Sequence, residues 1–111
     1  MIVCNEIEEE KRMRRAEKRR LMKRIEAYIK TKLLYMLQVE KWTGVEIAAE
    51  YKFPSARQTE IKNPDKYPHG GMNQKLLETL LKTGFVNLDE LLANVAMSKS
   101  EREYTESLEI N

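Results

Sequence analysis

The sequence has little of what catalytic and metal sites require. It contains one histidine, His69, and one cysteine, Cys4, so a single chain lacks the ligands for a zinc site and cannot form an internal disulfide bond. The glycine pair Gly70-Gly71 is too short for a phosphate-binding loop, and no nucleophile-elbow motif is present. We therefore expect no enzymatic activity, no metal and no cofactor.

Long apolar runs are also absent. The first ten residues, MIVCNEIEEE, hold an apolar run that is too short for a signal peptide, and no segment approaches the roughly 20 apolar residues of a membrane span. We therefore expect a cytoplasmic protein that does not enter a membrane. Four glycines and three prolines among 111 residues, of which 34% are charged, are typical of a helix-rich globular chain with one small domain.

Positive charge is concentrated in one segment, although the net charge is only +2. Residues 11–24, KRMRRAEKRRLMKR, carry nine basic residues and one acidic residue, for a charge of +8, whereas residues 25–111 carry −2. Such a segment attracts polyanions, chiefly through the release of counterions from nucleic-acid phosphates. It is a candidate auxiliary basic arm, made of Lys11, Arg12, Arg14, Arg15, Lys18, Arg19, Arg20, Lys23 and Arg24.

The basic segment continues into an apolar face. The region from Glu6 to Val39 contains no glycine or proline and is rich in strong helix formers, which predicts one long helix. Its first half has few apolar residues and is expected to project into solvent. The second half predicts a packed face at helical spacing, formed by Met22, Ile25, Ile29, Leu33 and Met36. We therefore predict a charged, basic helical arm at residues 1–24 and a folded domain at residues 25–97.

Pro54 interrupts the next helical run, TGVEIAAEYKFPSARQTEI. Its ring would remove a hydrogen bond from a continuing helix and would clash with the preceding turn. Capping-box patterns lie on both sides of it, Thr43 with Glu46 and Ser55 with Gln58, and each predicts the start of a helix. Two short helices joined by a turn of about three residues have the dimensions of a helix-turn-helix. They are predicted at about residues 44–52 and 55–63.

Three further segments have helical patterns. NQKLLETLLKTG ends at Gly84, which is suited to a left-handed C-terminal cap, and Asn87 starts the helix LDELLANVAM. Ser98 with Glu101 is a further capping box, which opens an acidic C-terminal helix or tail at residues 98–111. No segment predicts a strand. The expected fold is all-α, a small helical bundle with a helix-turn-helix and a long N-terminal helix.

The segment IAAEYKFPSARQTEIKN resembles the helix-turn-helix of the phage lambda repressor and Cro family, the XRE-like group of DNA-binding proteins. The small residue of the first helix falls on Ala48. The apolar positions fall on Ile47, Tyr51, Phe53 and Ile61. Two positions depart from the family pattern, because Lys52 stands where the turn usually has glycine and Gln58 stands at a buried aliphatic position. The resemblance implies a lambda-repressor-like domain that binds double-stranded DNA.

The second helix of the motif carries the candidate contacts to DNA. If Ile61 faces the core, a rotation of 100° per residue places a polar face on the opposite side. Those side chains are suited to contact base edges in the major groove. Each good pairing of a side chain with a base adds about 1–3 kcal/mol of discrimination against the wrong base. The candidate base-contacting residues are Ser55, Ala56, Thr59, Glu60 and Asn63. The flanking cations are expected to bind phosphates, and they are Lys52, Arg57, Lys62 and Lys66.

The motif itself has no net charge. Residues 44–69 carry four basic and four acidic side chains, so the motif alone would bind DNA weakly. We therefore expect two additional contributions, a homodimer that reads two half-sites and the basic arm. The dimer contact is expected on the Met22 to Met36 face or on the C-terminal helix.

The sequence is therefore interpreted as a sequence-specific, double-stranded DNA-binding transcriptional regulator of phage or bacterial type. It would read the major groove with the helix at about residues 55–63. Two alternatives stay open. One is an RNA-binding or ribonucleoprotein factor that uses the arginine-rich helix at residues 11–24. The other is a coiled-coil protein-interaction module.

Overall fold

The structure, a computed structural model, describes residues 14–110. Helices joined by turns and loops make up this range. This confirms the all-α prediction, and no strand occurs in the described range. The predicted start of the long helix at Glu6, and the arm residues Lys11 and Arg12, lie outside the described residues. The helices are α1 (Arg15–Gln38), α2 (Gly44–Tyr51), α3 (Ser55–Lys62), α4 (Gln74–Thr83), α5 (Leu88–Asn94) and α6 (Lys99–Ile110).

Helix α1 supplies the largest share of the core. Its predicted apolar face is buried as expected, with Ile25, Ile29 and Leu33 fully inaccessible to solvent. The helices of the same chain cover this face, so the predicted dimer contact through the Met22 to Met36 face is wrong. Side chains that are already packed inside one subunit cannot also bury apolar surface against a second one.

The other helices complete a single hydrophobic cluster. Leu76, Leu77 and Leu80 of α4 and Leu91 of α5 belong to the same buried cluster as the apolar face of α1. The cluster also contains Leu21, Ile47, Phe53, Ile61, Met72, Phe85, Val86, Val95 and Leu108. Because α2 and α3 each contribute one aliphatic residue to it, both short helices of the predicted helix-turn-helix are anchored to the same core.

Packing crosses the predicted boundaries at residues 24 and 97. Leu21 is fully buried, and Leu108 of α6 belongs to the same core. The guanidinium group of Arg24 donates to the carboxylate of Glu101 and to the carbonyl of Ala96. The end of the basic segment and the C-terminal helix are therefore packed against the central helices.

The start of α6 joins a helix cap to an ion pair. Glu101 accepts a hydrogen bond from the backbone N–H of Ser98 at 2.8 Å, and its own N–H donates to the Ser98 hydroxyl at 3.3 Å, which confirms the predicted capping box. The hydrogen bond from Arg24 lowers the pKa of Glu101, burial acts in the opposite direction, and the Ser98 amide lowers it further. The carboxylate form is therefore favoured in the folded state.

We expect this carboxylate to make stability depend on pH in the acidic range. Because the folded pKa of Glu101 lies below its unfolded value, its contribution is present above the ordinary value of 4.5 and is lost as the pH falls through the folded pKa. Urea unfolding at a series of pH values should show a smaller loss of stability in Glu101→Gln than in the wild type. Glu103→Gln, at an exposed position of the same helix, is the matched control. Equal acid slopes for the wild type and Glu101→Gln would contradict the role of this pair.

The loop between α3 and α4 is attached to α1 by a buried carboxylate. Glu26 is only 5% exposed, and its Oε1 atom accepts a hydrogen bond from the Met72 backbone N–H at 3.1 Å. Gly71 lies beside it with φ of +85°, and a Cβ atom there would come within 2.2 Å of Glu26 Oε1. Gly84 has almost the same φ, +84°, with nothing within 4 Å of its would-be Cβ, and it forms the predicted left-handed cap of α4.

These two glycines give a matched pair of variants. Gly84→Ala should cost about 1 kcal/mol, since alanine meets only the left-handed backbone penalty there. Gly71→Ala should cost about 3 kcal/mol or more, because the methyl group must also displace the Glu26 carboxylate from a buried hydrogen bond. Chemical unfolding of both variants measures the difference. Equal losses would show that the contact between the loop and Glu26 is not formed.

Candidate nucleic-acid interface

The two short helices meet at the corner Lys52-Phe53-Pro54. Thr43 and Glu46 form the predicted capping box, with the Thr43 Oγ1 atom accepting from the Glu46 N–H at 3.1 Å. Helix α2 then ends at Tyr51, and Lys52 adopts the left-handed conformation with φ of 53° and ψ of 38°. The chain therefore reverses at Lys52 with the backbone geometry for which the resembled family usually uses glycine.

The second predicted capping box is wrong. Helix α3 has Pro54 as its N-cap residue, with no side-chain hydrogen bond at the cap. Gln58 does not reach back to Ser55. It is 2% exposed, and its Nε2 atom donates to the carbonyls of Gly44 and Phe53, each at 2.9 Å. A buried amide that satisfies two backbone carbonyls explains why a polar residue stands where the family pattern has an aliphatic one.

Aromatic side chains fill the space behind the corner. Phe53 is fully buried and meets the Phe85 ring edge-on, with 5.2 Å between ring centroids. Tyr51 packs against Phe85 at 5.3 Å and against Trp42 at 5.7 Å. The hydroxyl of Thr83 donates to the Tyr51 carbonyl at 2.9 Å. The angle between α2 and α3 is thus held both by ring packing and by the hydrogen bond from Thr83 to the last carbonyl of α2.

One side of α3 is open to solvent. Of the candidate base-contacting residues, Ser55, Ala56, Thr59 and Asn63 are exposed, and Asn63 caps the end of the helix. The Asn63 Nδ2 atom donates to the Thr59 carbonyl at 2.9 Å, and the Thr59 hydroxyl donates to the Ser55 carbonyl at 3.1 Å. The Asn63 side chain retains an acceptor oxygen and a second N–H that could meet a base edge.

Glu60 differs from the expectation. It is half-buried, and its Oε1 atom pairs with Arg57 Nη1 at 3.0 Å. On its other side lies the loop, since a Cβ atom added at Gly70 would come within 2.5 Å of Glu60 Oε2. Glu60 lies at the edge of the exposed face of α3, on the side that borders this loop. Its carboxylate therefore binds within the fold and does not project outward for a cytosine amino group.

The candidate phosphate-binding cations lie at both ends of α3. Lys52 and Arg57 line a shallow cavity of about 160 Å³ together with Asn73 and Lys75 of the next helix. At the other end Lys62 is half-buried, and Lys66 is exposed with its Nζ atom 5.7 Å from the Tyr67 ring centroid. Lys75 was not among the predicted residues, although its place in the first turn of a helix capped by Asn73 could be read from the sequence.

The described part of the basic arm divides into two groups. Arg14, Arg15, Arg19 and Arg20 are exposed. The other three have partners within the fold. Lys18 lies 5.2 Å from the Tyr104 ring centroid, Lys23 is 3.6 Å from Glu26, and Arg24 is bound to Glu101. Arg24 stabilises the contact between α1 and α6, so it is not free to reach along a duplex.

No protein-family model, curated protein or solved structure gives a significant match to this chain. Within residues 14–110, no group of three or more His, Cys, Asp or Glu side chains is arranged to hold a metal ion. None of the helices in that range combines the length and the hydropathy that crossing a bilayer requires. The features that bear on function are the geometry of the corner and the surfaces beside it.

The two lysines with positive φ offer a test of the corner. Lys41 and Lys52 have φ of 64° and 53°, and both are exposed. Replacing either by glycine should stabilise the protein by about 0.5–1 kcal/mol, because the relief of left-handed strain exceeds the entropy that glycine gains on unfolding. Thermal unfolding of Lys41→Gly and Lys52→Gly measures this gain. If Lys52→Gly loses stability while Lys41→Gly gains it, Lys52 does not adopt the left-handed conformation.

Proposed function

We propose that this protein is a sequence-specific, double-stranded DNA-binding transcriptional regulator of the lambda-repressor type, acting in the cytoplasm as a homodimer. In this proposal α3 enters the major groove and α2 lies across it. Ser55, Ala56, Thr59 and Asn63 contact base edges, and the cations at the two ends of α3 hold phosphates.

The observation that carries the proposal is the corner with its open helix face. Helix α3 is held on its inner side by Ile61 and Gln58, both buried, while short polar side chains cover its outer side. A helix that reads DNA needs this combination, since side chains buried within the fold could not reach the base edges. An ordinary helical corner would not require four exposed positions to be Ser, Ala, Thr and Asn.

Charge explains why the proposal includes a dimer and the basic helix. Glu60 neutralises Arg57 within the motif, so α3 has few free charges with which to displace counterions. Two copies of the motif on one duplex would double the phosphate contacts. Apolar surface for such an association is available outside the core, at Tyr35, Val39 and Val45, which are 55%, 60% and 75% exposed.

Selection from a library of random duplexes by the purified protein tests the proposal directly. Enrichment of a palindrome would support both sequence-specific reading and the homodimer, because a two-fold symmetric protein selects a symmetric site. A parallel selection from random RNA tests the alternative of an RNA-binding factor. Enrichment from the RNA library together with no enrichment from the duplex library would contradict the proposal.

Two asparagines in matching environments provide a variant and its control. Asn63 and Asn94 are both exposed and stand at the end of a helix. Each donates its side-chain N–H to the carbonyl four residues before it, at 2.9 Å and 2.8 Å. Asn63→Ala should reduce discrimination at one base pair by about 1–3 kcal/mol, whereas Asn94→Ala should leave it unchanged.

Competition binding between the selected duplex and its single-base variants measures this discrimination. Because both substitutions remove the same local hydrogen bond, a shared loss of helix stability cancels in the comparison. If Asn63→Ala and Asn94→Ala retain the same discrimination as the wild type, Asn63 does not read a base.

A further inference from the structure

A second basic cavity lies beside the corner. It has a volume of about 310 Å³ and is formed by α1, the loop before α4 and the side of α6. Lys18, Arg19 and Lys23 of α1 line it on one side. His69 and Tyr104 line it on the others. Among the residues that the structure describes, no acidic side chain lines this cavity or the one at the corner.

The two cavities adjoin each other at one residue. Asn73, the N-cap of α4, lines both of them. Beside it in the chain, Gln74 lines the larger cavity and Lys75 lines the smaller one. Cationic side chains therefore line both cavities from the corner to α1, and we call them the cationic band. Its members are Lys52, Arg57, Lys75, Lys23 and Arg19. Two of them, Arg57 and Lys23, also pair with Glu60 and Glu26, which lie outside the lining of the cavities.

Helix geometry explains why only part of the basic segment joins the band. Arg19 and Lys23 are four residues apart, so they are neighbours on one flank of α1 with about 5–6 Å between Cβ atoms. This flank faces the loop that leads from α3 to α4. Arg20 and Arg24 follow one residue later and lie on another flank, from which Arg24 reaches Glu101. The charge of +8 along the sequence is thus divided between different surfaces.

We infer that the cationic band is one continuous binding surface for the phosphates of duplex DNA, in which Arg19 and Lys23 of α1 and Lys75 of α4 extend the contacts made at the corner. The inference rests on the proposed function and names further residues that carry it. Phosphates succeed one another every 3.4 Å or so along the axis of each strand. Long flexible cations spaced along the band can therefore each reach a separate phosphate of the same duplex.

The test compares two triple variants that remove equal charge. The band variant is Arg19→Ala/Lys23→Ala/Lys75→Ala, and the control is Lys82→Ala/Lys99→Ala/Arg102→Ala. All six positions are exposed. The probe is a mixed-sequence duplex of about three helical turns, and its affinity is measured by fluorescence anisotropy over a range of salt concentrations. Equal thermal midpoints establish that both variants are folded.

The band variant should reduce the slope of log affinity against log salt by about 2.7, since each lost phosphate contact removes about 0.9. The control should keep the wild-type slope, because its cations lie outside the band. The exchange variant Arg19→Lys/Lys23→Arg/Lys75→Arg should restore most of the slope, which a merely structural loss would not allow.

The possible failures are distinguishable. If the wild type binds no duplex, the proposed function fails. If it binds and the band and control variants have the same slope, this inference alone fails. A band variant that loses binding to an RNA duplex of equal length while its binding to DNA is unchanged would also overturn the inference, in favour of RNA as the partner.

Discussion

The buried amide of Gln58 is the interaction on which the arrangement of α2 and α3 depends. One nitrogen atom donates to a carbonyl at the start of α2 and to a carbonyl in the corner. Without it, the Phe53 carbonyl would be buried next to an aromatic core with no partner, at a cost of about 1–3 kcal/mol. An aliphatic side chain of similar size would fill the space but would leave that carbonyl unsatisfied. Gln58 thus helps to set the angle between α2 and α3, and with it the direction in which the outer face of α3 points.

The corner combines this polar contact with a lysine in an unfavourable conformation. Lys52 occupies the left-handed region, where a side chain other than glycine costs about 1–2 kcal/mol. The surrounding structure maintains it, because Phe53 immediately after it is fully buried and Thr83 binds the carbonyl immediately before it. A cation at the apex of the corner lies beside the cavity that holds Arg57 and Lys75. The strained backbone conformation of Lys52 therefore places a positive charge next to the start of α3.

Sequence periodicity and capping patterns predicted most of the fold, and tertiary contacts account for the differences. The face of α1, the capping boxes at Thr43 and Ser98, the helix start at Asn87 and the cap at Gly84 follow from local rules, and the structure confirms them. Gln58 was misassigned because its partners include a carbonyl fourteen residues away, which no local pattern contains.

The candidate interface was predictable to a smaller extent. Rotation about the axis of α3 correctly placed Thr59 and Asn63 on an exposed face. It could not show that Glu60 would meet Arg57 and the following loop. Nor could charge counting along residues 11–24 separate the cations that pack, such as Arg24, from those that stay exposed, such as Arg19. Those distinctions depend on which neighbouring element covers each flank of a helix.

The glycine pair that is too short for a phosphate loop has a structural reason to be there. The loop from α3 to α4 passes between two carboxylates, Glu60 of α3 on the Gly70 side and Glu26 of α1 on the Gly71 side. A Cβ atom at either position would come closer than 3 Å to one of these carboxylates. At Gly71 the positive φ and the buried Glu26 carboxylate both favour glycine, whereas at Gly70 the contact is with the end of the half-buried Glu60 side chain. Since Glu26 also binds the Met72 amide, the absence of a side chain at Gly71 allows the loop to lie directly against α1. The same contacts hold the α1 flank with Arg19 and Lys23 beside the helix that is proposed to read DNA.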